Sequence, residues 1–206
     1  MLQMIPVGTR FAIDVHKGEG AGLRLSLDPR FEALYAAGFY EASLLGCLLA
    51  HLKPGDVFYD VGAHIGYVSL VAARVVGAAG KVFAFEADPV NAARIAGHVQ
   101  MNALPQVDLV PAAVWSECKT LSFQRASDSS SRNKGAIADS GQDGGGDGTI
   151  AVEAVTLDRF AEDHRPPAVV KVDVEGAEEE VLKGAEGVFR TARPTLICEV
   201  HHGRAA

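Results

Sequence analysis

Residues 56–86, DVFYDVGAHIGYVSLVAARVVGAAGKVFAFE, decide the fold of this chain. The short apolar run at 57–59 is typical of a buried strand, and the glycine-containing segment 60–66 follows it. Apolar residues then recur at helical spacing as far as Gly77, and a second apolar run ends on Glu86. The stretch therefore predicts a strand, a turn, a helix and a parallel second strand, which is a nucleoside-binding arrangement.

Two glycines and two acids of this stretch indicate what it binds. Gly62 and Gly66 let the backbone come close to a ligand at the N-terminus of a helix. The carboxylate of Glu86 can accept hydrogen bonds from both hydroxyls of a ribose. Asp60, at the end of the first strand, can orient the rest of the ligand through water or backbone groups. The alternative is a tight strand–helix connection that binds no ligand.

His64 stands where a dinucleotide-binding turn has its middle glycine. Its side chain would obstruct a pyrophosphate, so a nicotinamide-dependent oxidoreductase is a disfavoured alternative. A nucleoside without phosphates fits the turn better. S-adenosylmethionine, an adenosine joined to a charged sulfonium amino acid, is such a ligand. His64 would face this pocket, although packing that stabilises the turn accounts for it equally well.

Composition favours one domain, with a lead-in of strands and helices at 1–52 and a core at 53–206. The chain has 206 residues, of which 48% are hydrophobic, and this is enough for a substantial core. A net charge of -7 argues against a nucleic-acid partner held through phosphates. Three widely spaced cysteines and the lack of a signal-like or membrane-spanning apolar run predict a cytoplasmic protein.

Strand and helix patterns alternate through the rest of the chain. This alternation predicts a doubly wound α/β fold, a Rossmann-like sheet with helices on both faces. Asp88 and Pro89 form a typical helix start. The predicted strands are 10–15, 23–27, 107–112, 120–123, 150–155, 168–172 and 195–200, and the predicted helices include 40–52, 88–102 and 176–189.

The segment 124–149 differs from its surroundings. Serine, glycine and aspartate dominate it, and Ile137 is its only large aliphatic residue. Such a composition cannot form a compact core, so we predict a flexible loop. Two interpretations stay open, a lid over the substrate and a variable surface insertion.

The segment 171–178, KVDVEGAE, is the second candidate for chemistry. Asp173 lies at the carboxyl end of a predicted buried strand, on the edge where open α/β sheets bind ligands. A carboxylate there can act as a general base on a hydroxyl or can hold a substrate. The alternative for Asp173 and for Glu175 is capping of the helix that follows.

Three further positions are candidates with plain alternatives. Imidazole is a suitable general base near neutral pH, so we predict His201 as catalytic. A metal held by Glu199, His201 and His202 is the less favoured alternative, and a frayed chain end is another. Glu41 is predicted to bind the ammonium of the cofactor, or to be an ordinary solvated acid. Trp115 stacks on an adenine or, more simply, belongs to the core.

Together these segments resemble the FkbM family of S-adenosylmethionine-dependent methyltransferases. The resemblance extends from about Gly38 to His201, and the pairing of DVGAHIG with VDVEGAE is its most specific part. The matching segments are GFYE (38–41), KPGDVFYDVGAHIGYVSLVAA (53–73), VFAFEADPVNAARI (82–95), VTLDRF (155–160), VVKVDVEGAEEEVLKGAE (169–186) and LICEVH (196–201).

The resemblance implies a class I methyltransferase fold and methyl transfer, usually to an oxygen of a sugar, a polyketide or another small metabolite. It implies cofactor contacts from Asp60, Gly62 and Glu86, with Asp173 and Glu175 bordering the active site. Our full set of predicted cofactor contacts consists of Asp60, Gly62, His64, Gly66, Glu86, Ala113 and Glu41.

The sequence departs from the family pattern in two places. Ala113 opens the segment AVWSE, whereas the family often has an acid after A-V-S, next to the adenine. Methyltransferases of this fold usually continue past the fifth strand with a helix and a β-hairpin, which this sequence lacks. We therefore expect an exposed edge at the last strand, covered in a homodimer or left open in a shortened protein with impaired substrate binding.

The sequence as a whole predicts an S-adenosylmethionine-dependent O-methyltransferase. We expect its partners to be the cofactor and a small-molecule acceptor, and neither nucleic acid nor a membrane. An inactive, cofactor-binding remnant of a methyltransferase is the main alternative.

Overall fold

The computed structural model describes residues 6–125, 136–137 and 148–201. In chain order the elements are β1 (Phe11–Asp14), β2 (Arg24–Leu27), α1 (Ala33–Ala37), α2 (Ala42–His51), β3 (Val57–Val61), α3 (Tyr67–Val76), β4 (Lys81–Phe85), α4 (Pro89–Asn102), β5 (Val107–Val110), β6 (Ala113–Val114), β7 (Lys119–Gln124), β8 (Ala136–Ile137), β9 (Thr149–Val155), α5 (Leu157–Asp163), β10 (Val169–Val172), α6 (Glu178–Lys183), α7 (Glu186–Thr191) and β11 (Thr195–Cys198). Strands and helices alternate from β3 to β5, as predicted, whereas five strands follow one another among the described residues from β5 to β9.

A five-stranded parallel sheet in the order β11-β10-β3-β4-β5 forms the centre of the molecule. The central strand β3 is buried at every residue, which is typical of a parallel sheet covered on both faces. Phe58 points into an apolar cluster with α2, α3 and α4, whereas Tyr59 points into a second cluster with α5, α6 and α7. The predicted Rossmann-like sheet with helices on both faces is confirmed.

Local sequence signals explain where the helices of this sheet begin. Asp88 caps α4 by accepting a hydrogen bond from the backbone N–H of Val90 at 2.7 Å, and Pro89 occupies the first helical position, as predicted. α3 begins directly after Gly66, whose φ of 82° is left-handed. The turn and the first residues of α3 therefore follow the carboxyl end of β3.

A second sheet of four strands, in the order β6-β9-β7-β8, was not predicted. β7 and β9 form an antiparallel pair, and β6 joins β9 in parallel. The apolar core of this sheet includes Leu121, Phe123 and Val152, with Trp115 packed against them. Trp115 thus belongs to a core, which was the simpler of its two interpretations.

The predicted flexible loop at 124–149 is only partly described. Residues 126–135 and 138–147 lie outside the described residues, so the structure does not test the loop there. The ends of the segment are strands, and Ala136–Ile137 pairs with Phe123 and Gln124 as β8. The flexible loop predicted for this segment stays a prediction.

The single helix predicted at 176–189 is two short helices, α6 and α7. The chain comes close to another element at Gly184, where an added Cβ would lie 2.0 Å from the carbonyl oxygen of Trp115. The carboxylate of Asp158 then accepts hydrogen bonds from the backbone N–H groups of Gly187 and Val188, at 2.9 and 2.7 Å, and so caps α7. In the part of the chain that is described, no helix combines the length and the apolar character needed to cross a membrane.

Candidate active site

The turn after β3 requires glycine at two positions, because a Cβ there would meet neighbouring atoms. Gly62 has a φ of 78°, and a Cβ at this position would lie 2.0 Å from the carbonyl oxygen of Asp173. The turn therefore lies directly against the end of β10, at a distance that only glycine permits. Gly66 also has a left-handed backbone, and an added Cβ there would lie 3.1 Å from the side chain of Ile95.

His64 has the left-handed conformation that a glycine would adopt more easily, with a φ of 54°. Its backbone N–H donates a hydrogen bond to Oε2 of Glu86 at 2.7 Å. Its ring Nδ1 lies 3.1 Å from the hydroxyl of Tyr35. The residue both stabilises the turn and lines the clefts on either side of it, and its predicted contact with the cofactor stays a prediction.

Glu86 lies at the end of β4 as a buried acid with both carboxylate oxygens engaged. Oε2 accepts from the N–H of His64, and Oε1 accepts from the N–H of Asp88 at 2.9 Å. Burial raises the pKa of Glu86 to about 7, although the two backbone hydrogen bonds act in the opposite direction. The Glu86 carboxyl lines the larger of two clefts and is available to a ligand there.

Asp60 is fully buried and lines neither cleft. It accepts a hydrogen bond from the hydroxyl of Ser69 at 2.5 Å, and its Oδ1 lies 3.0 Å from the ammonium of Lys171. The predicted contact of Asp60 with a ligand, through water or backbone groups, stays a prediction. Its carboxylate holds the strand, the start of α3 and Lys171 together.

Lys171 is the most informative residue that sequence reasoning missed. Its ammonium is buried, donates a hydrogen bond to the carbonyl oxygen of Gly62 at 2.9 Å, and lies 3.6 Å from Oδ2 of Asp173. In the register of the sheet Lys171 is directly opposite Asp60. The signal was present in the sequence, since a single lysine interrupts an apolar run that predicts a buried strand.

The larger cleft encloses about 650 Å³ of empty space, including space open to solvent, and opens at the carboxyl ends of β3 and β4. Apolar residues from both sheets form most of its wall, and Glu86, Asn91, Asp173 and Glu175 supply carboxylate and amide groups. Ala113, a predicted adenine contact, and Ile137 both line it. Its apolar lining consists of Val61, Phe85, Ala87, Ala113, Val114, Phe123, Ile137, Val174 and Ala177.

A smaller cleft of about 260 Å³ lies on the other side of the turn. Glu41 lines it from the start of α2, and Tyr35 and Tyr40 stack on each other there with ring centroids 3.8 Å apart. Gly62, His64 and Asp173 line both clefts. The two spaces therefore meet across the glycine turn, next to the carboxylate of Asp173.

A cluster of carboxylates surrounds His201 beyond the end of β11, and we call it the rim cluster (Asp173, Glu175, Glu178, Glu199 and His201). Nδ1 of His201 lies 2.8 Å from Oε1 of Glu178. Its Nε2 lies 3.8 Å from Asp173 and 3.7 Å from both Glu175 and Glu199. The hydrogen bond to Glu178, helped by the other acids, raises the pKa of His201.

The rim cluster brings together the three predicted catalytic residues, Asp173, Glu175 and His201. Asp173 and Glu175 line the larger cleft, whereas His201 lies outside the lining of both clefts. One donor atom each from Asp173, Glu199 and His201 lies within 4.8 Å of the others, a spacing at which a metal ion can be held. His202 lies outside the described residues.

Comparisons with known proteins identify the family of this chain and relatives of its fold. The family model described as the methyltransferase FkbM domain matches residues 60–206. The hexuronic acid methyltransferase AglP of Haloferax volcanii is 29% identical over 165 residues, which are 79% of this chain and 63% of that protein. The crystal structure of methyltransferase FkbM from Methylobacillus flagellatus KT shares the fold at 16% identity and a TM-score of 0.50, covering 71% of this chain and 33% of that one. The chain thus spans less than two thirds of each of these relatives.

Proposed function

Because the chain belongs to the FkbM methyltransferase family, we propose that it transfers the methyl group of S-adenosylmethionine to a hydroxyl oxygen of a sugar or a related small metabolite. One observation carries this proposal. Two clefts meet across the turn at Gly62, one with a buried carboxyl suited to a ribose and the other with an acid suited to an ammonium. A nucleoside joined to an amino acid carries both groups, a ribose at one end and an ammonium at the other.

The adenosine part of the cofactor occupies the larger cleft in this proposal. Both ribose hydroxyls donate hydrogen bonds to the carboxylate of Glu86. The adenine lies against the apolar wall that includes Ala113 and Phe123. His64 lines both clefts where they meet, and its side chain there suits a ligand with a sulfonium better than one with a pyrophosphate.

The amino-acid part occupies the smaller cleft. The carboxylate of Glu41 pairs with the cofactor ammonium, and the ammonium of Lys171, which also lines this cleft, attracts the cofactor carboxylate. The sulfonium and its methyl group then lie where the clefts meet. Asp173 lines both clefts and is the nearest carboxylate to that junction.

Methyl transfer at this junction needs an aligned acceptor and a proton acceptor. The hydroxyl oxygen attacks the methyl carbon in line, the new C–O bond forms as the C–S bond breaks, and S-adenosylhomocysteine leaves. Asp173 or Glu175 takes the hydroxyl proton, and His201 orients these acids from the rim. Positioning of the two reactants supplies most of the rate enhancement, on the order of 7–11 kcal/mol at best.

A sugar is the acceptor class that the relatives favour. AglP is by name a hexuronic acid methyltransferase, and a sugar acid presents several hydroxyls of the required kind. We therefore expect activity on hexuronic acids or their glycosides, measured as S-adenosylhomocysteine that accumulates only when the acceptor is present.

Calorimetric titration with S-adenosylmethionine tests the cofactor part of the proposal. The wild-type chain is expected to bind, and Glu86→Ala to lose binding, because the ribose hydroxyls lose their acceptor. Glu162→Ala, at an exposed acid on α5, is the matched control and is expected to bind like the wild type. Equal binding by Glu86→Ala would overturn the assignment, and binding without turnover on any sugar would favour the inactive remnant.

A further inference from the structure

We propose that the rim cluster is a divalent-cation site, in which Asp173, Glu199 and His201 bind Mg²⁺ or Mn²⁺ and the cation holds the oxygens of the acceptor. The cation site stands on the geometry of these three residues alone. The role of the cation toward the acceptor rests on the proposed methyl transfer.

The imidazole of His201 is oriented as a metal ligand would be. Its Nδ1–H donates to Oε1 of Glu178 at 2.8 Å, so in the neutral ring Nε2 keeps its lone pair on the side of the other acids. Metal-binding histidines commonly donate their second ring N–H to a carboxylate in this way. Glu178 is a positioning residue in this arrangement and does not bind the cation.

The distances around Nε2 fit a space that an ion can occupy. Nε2 lies 3.8 Å from Oδ1 of Asp173 and 3.7 Å from Oε1 of Glu199, which is too long for a hydrogen bond. Ligands at about 2.1 Å from an octahedral ion lie about 3.0 Å apart when adjacent and about 4.2 Å apart when opposite. The two separations from Nε2 fall between these limits, and the oxygens of Asp173 and Glu199 lie within 4.8 Å of each other, so side-chain movements are needed to bring all three atoms to bonding distance.

The rim cluster brings several carboxylates close together. Four of them surround His201, and one of the four, Asp173, lies 3.6 Å from the ammonium of Lys171. A sugar acid that approached these groups would be repelled by them. A doubly charged ion removes the repulsion and offers its remaining coordination positions to the hydroxyl and carboxylate oxygens of the acceptor.

The donor set selects the kind of ion. Two carboxylates and one imidazole provide mainly oxygen ligands, which suit Mg²⁺ and Mn²⁺, and thiolates that would favour zinc are absent from these three residues. Three protein ligands leave about three of six octahedral positions open. The site can therefore bind two acceptor oxygens at once and still keep a water molecule.

The bound cation also changes the proton transfer. Coordination to a divalent ion makes an acceptor hydroxyl more acidic. Because Asp173 is then a ligand, the O–H bond breaks toward Glu175, which lines the larger cleft beside it. The oxygen forms its bond to the methyl carbon as the C–S bond breaks, S-adenosylhomocysteine leaves, and Glu175 releases the proton to solvent.

Titration of the full chain with Mn²⁺, followed by electron paramagnetic resonance without S-adenosylmethionine, tests the site directly. We expect one saturable Mn²⁺ per chain and at least about tenfold weaker binding in Glu199→Gln and in His201→Gln. Glu199 and His201 are at the partly exposed rim, so these variants are expected to fold, and circular dichroism checks this. Pulsed spectra should show nitrogen coupling to Mn²⁺ in the wild type that His201→Gln abolishes.

Glu179→Gln is the matched control. It removes the same charge from the exposed side of α6, where Glu179 pairs with Lys183 at 3.1 Å, and it should leave Mn²⁺ affinity unchanged. Equal weakening by Glu179→Gln, retained nitrogen coupling in His201→Gln, or a lack of saturable binding would each overturn the site. Saturable Mn²⁺ binding in a chain that fails to bind S-adenosylmethionine would retain the site and reject the methyl transfer, so the two failures are distinguishable.

Discussion

The cofactor side and the acceptor side of the candidate site are built in different ways. On the cofactor side, buried groups and backbone atoms hold the turn at Gly62, and both Glu86 and Lys171 are tied to main-chain partners. On the acceptor side, the side chains of His201, Glu175 and Glu199 are 27%, 32% and 46% exposed and come from the ends of different elements. From this difference we expect substitutions on the cofactor side to destabilise the fold, and substitutions on the acceptor side to leave the chain folded.

The largest expected effect comes from Lys171→Met, which leaves two buried carboxylates without their shared cation. We expect the free energy of unfolding to fall by about 3–5 kcal/mol, measured by urea denaturation. Lys183→Met is the control, because Lys183 is a half-exposed lysine between two acids of α6 and should change stability by less than about 1 kcal/mol. A similar loss of unfolding free energy in Lys171→Met and Lys183→Met would show that the buried lysine has no special role in stability.

Gly62→Ala should have the next largest effect. A Cβ 2.0 Å from the carbonyl oxygen of Asp173, on a left-handed backbone, is expected to cost about 2–4 kcal/mol of unfolding free energy and to abolish cofactor binding. Gly97→Ala is the same substitution inside α4, where an added Cβ meets no atom within 4 Å. Gly97→Ala should stabilise the chain by about 0.5–1 kcal/mol. A lower free energy of unfolding in this variant would show that any alanine in place of glycine destabilises the chain, whether or not its Cβ has room.

The third prediction concerns pH and the adenosine subsite. With a pKa of about 7, Glu86 is mostly protonated at pH 6 and mostly ionised at pH 8. Ribose hydroxyls donate to the ionised form, so affinity for 5′-methylthioadenosine should rise about tenfold, or about 1.4 kcal/mol, over this interval. This probe has no amino group that titrates near neutral pH. Affinity in Glu86→Gln should be weaker and independent of pH, and a wild-type affinity that falls with pH would contradict the assignment.

The same raised pKa of Glu86 has a consequence for stability. The folded chain holds this proton more tightly than the unfolded chain does. The protonated Glu86 carboxyl therefore adds its full contribution to the free energy of unfolding below the ordinary pKa of 4.5. It is lost as the pH rises toward 7. Comparison of the wild type with Glu86→Gln in urea at pH 5 and pH 8 measures this loss, since glutamine does not titrate.

The smallest effect on stability is expected on the acceptor side. Glu175→Gln should change the free energy of unfolding by less than about 0.5 kcal/mol. Affinity for 5′-methylthioadenosine should also stay the same, whereas the rate of methyl transfer to a sugar acid should fall on the order of a hundredfold. A stability loss as large as that of Lys171→Met would show that the two sides are not separable.

The cofactor side could be predicted from the sequence because one short stretch specifies it. The strand, the turn at Gly62 and the acid at Glu86 follow each other at spacings that the backbone geometry dictates. Lys171 could not be assigned a role, because its partners come from another strand and are found only once the register of β3 and β10 is known. The contact of Asp60 with Lys171 could not be foreseen for the same reason.

The acceptor side could be predicted only in part. Asp173 and His201 were identified by their residue type at strand ends, but Glu178 was missed, because its contact with His201 depends on how α6 packs beside β11. The second sheet was missed as a whole, although β7 and β9 were predicted as strands. Pairing between strands that are far apart in the sequence depends on tertiary packing, which local patterns do not encode.

The contact between Lys171 and Gly62 joins residues that are 109 positions apart. During synthesis the glycine turn leaves the ribosome long before β10, so the nascent chain carries the turn without the strand that completes it. Parallel pairing over such a separation is a slow, late event in folding. The turn at Gly62 therefore reaches its final form only after β10 pairs with β3, so a ligand that needs the finished turn would bind folded chains alone.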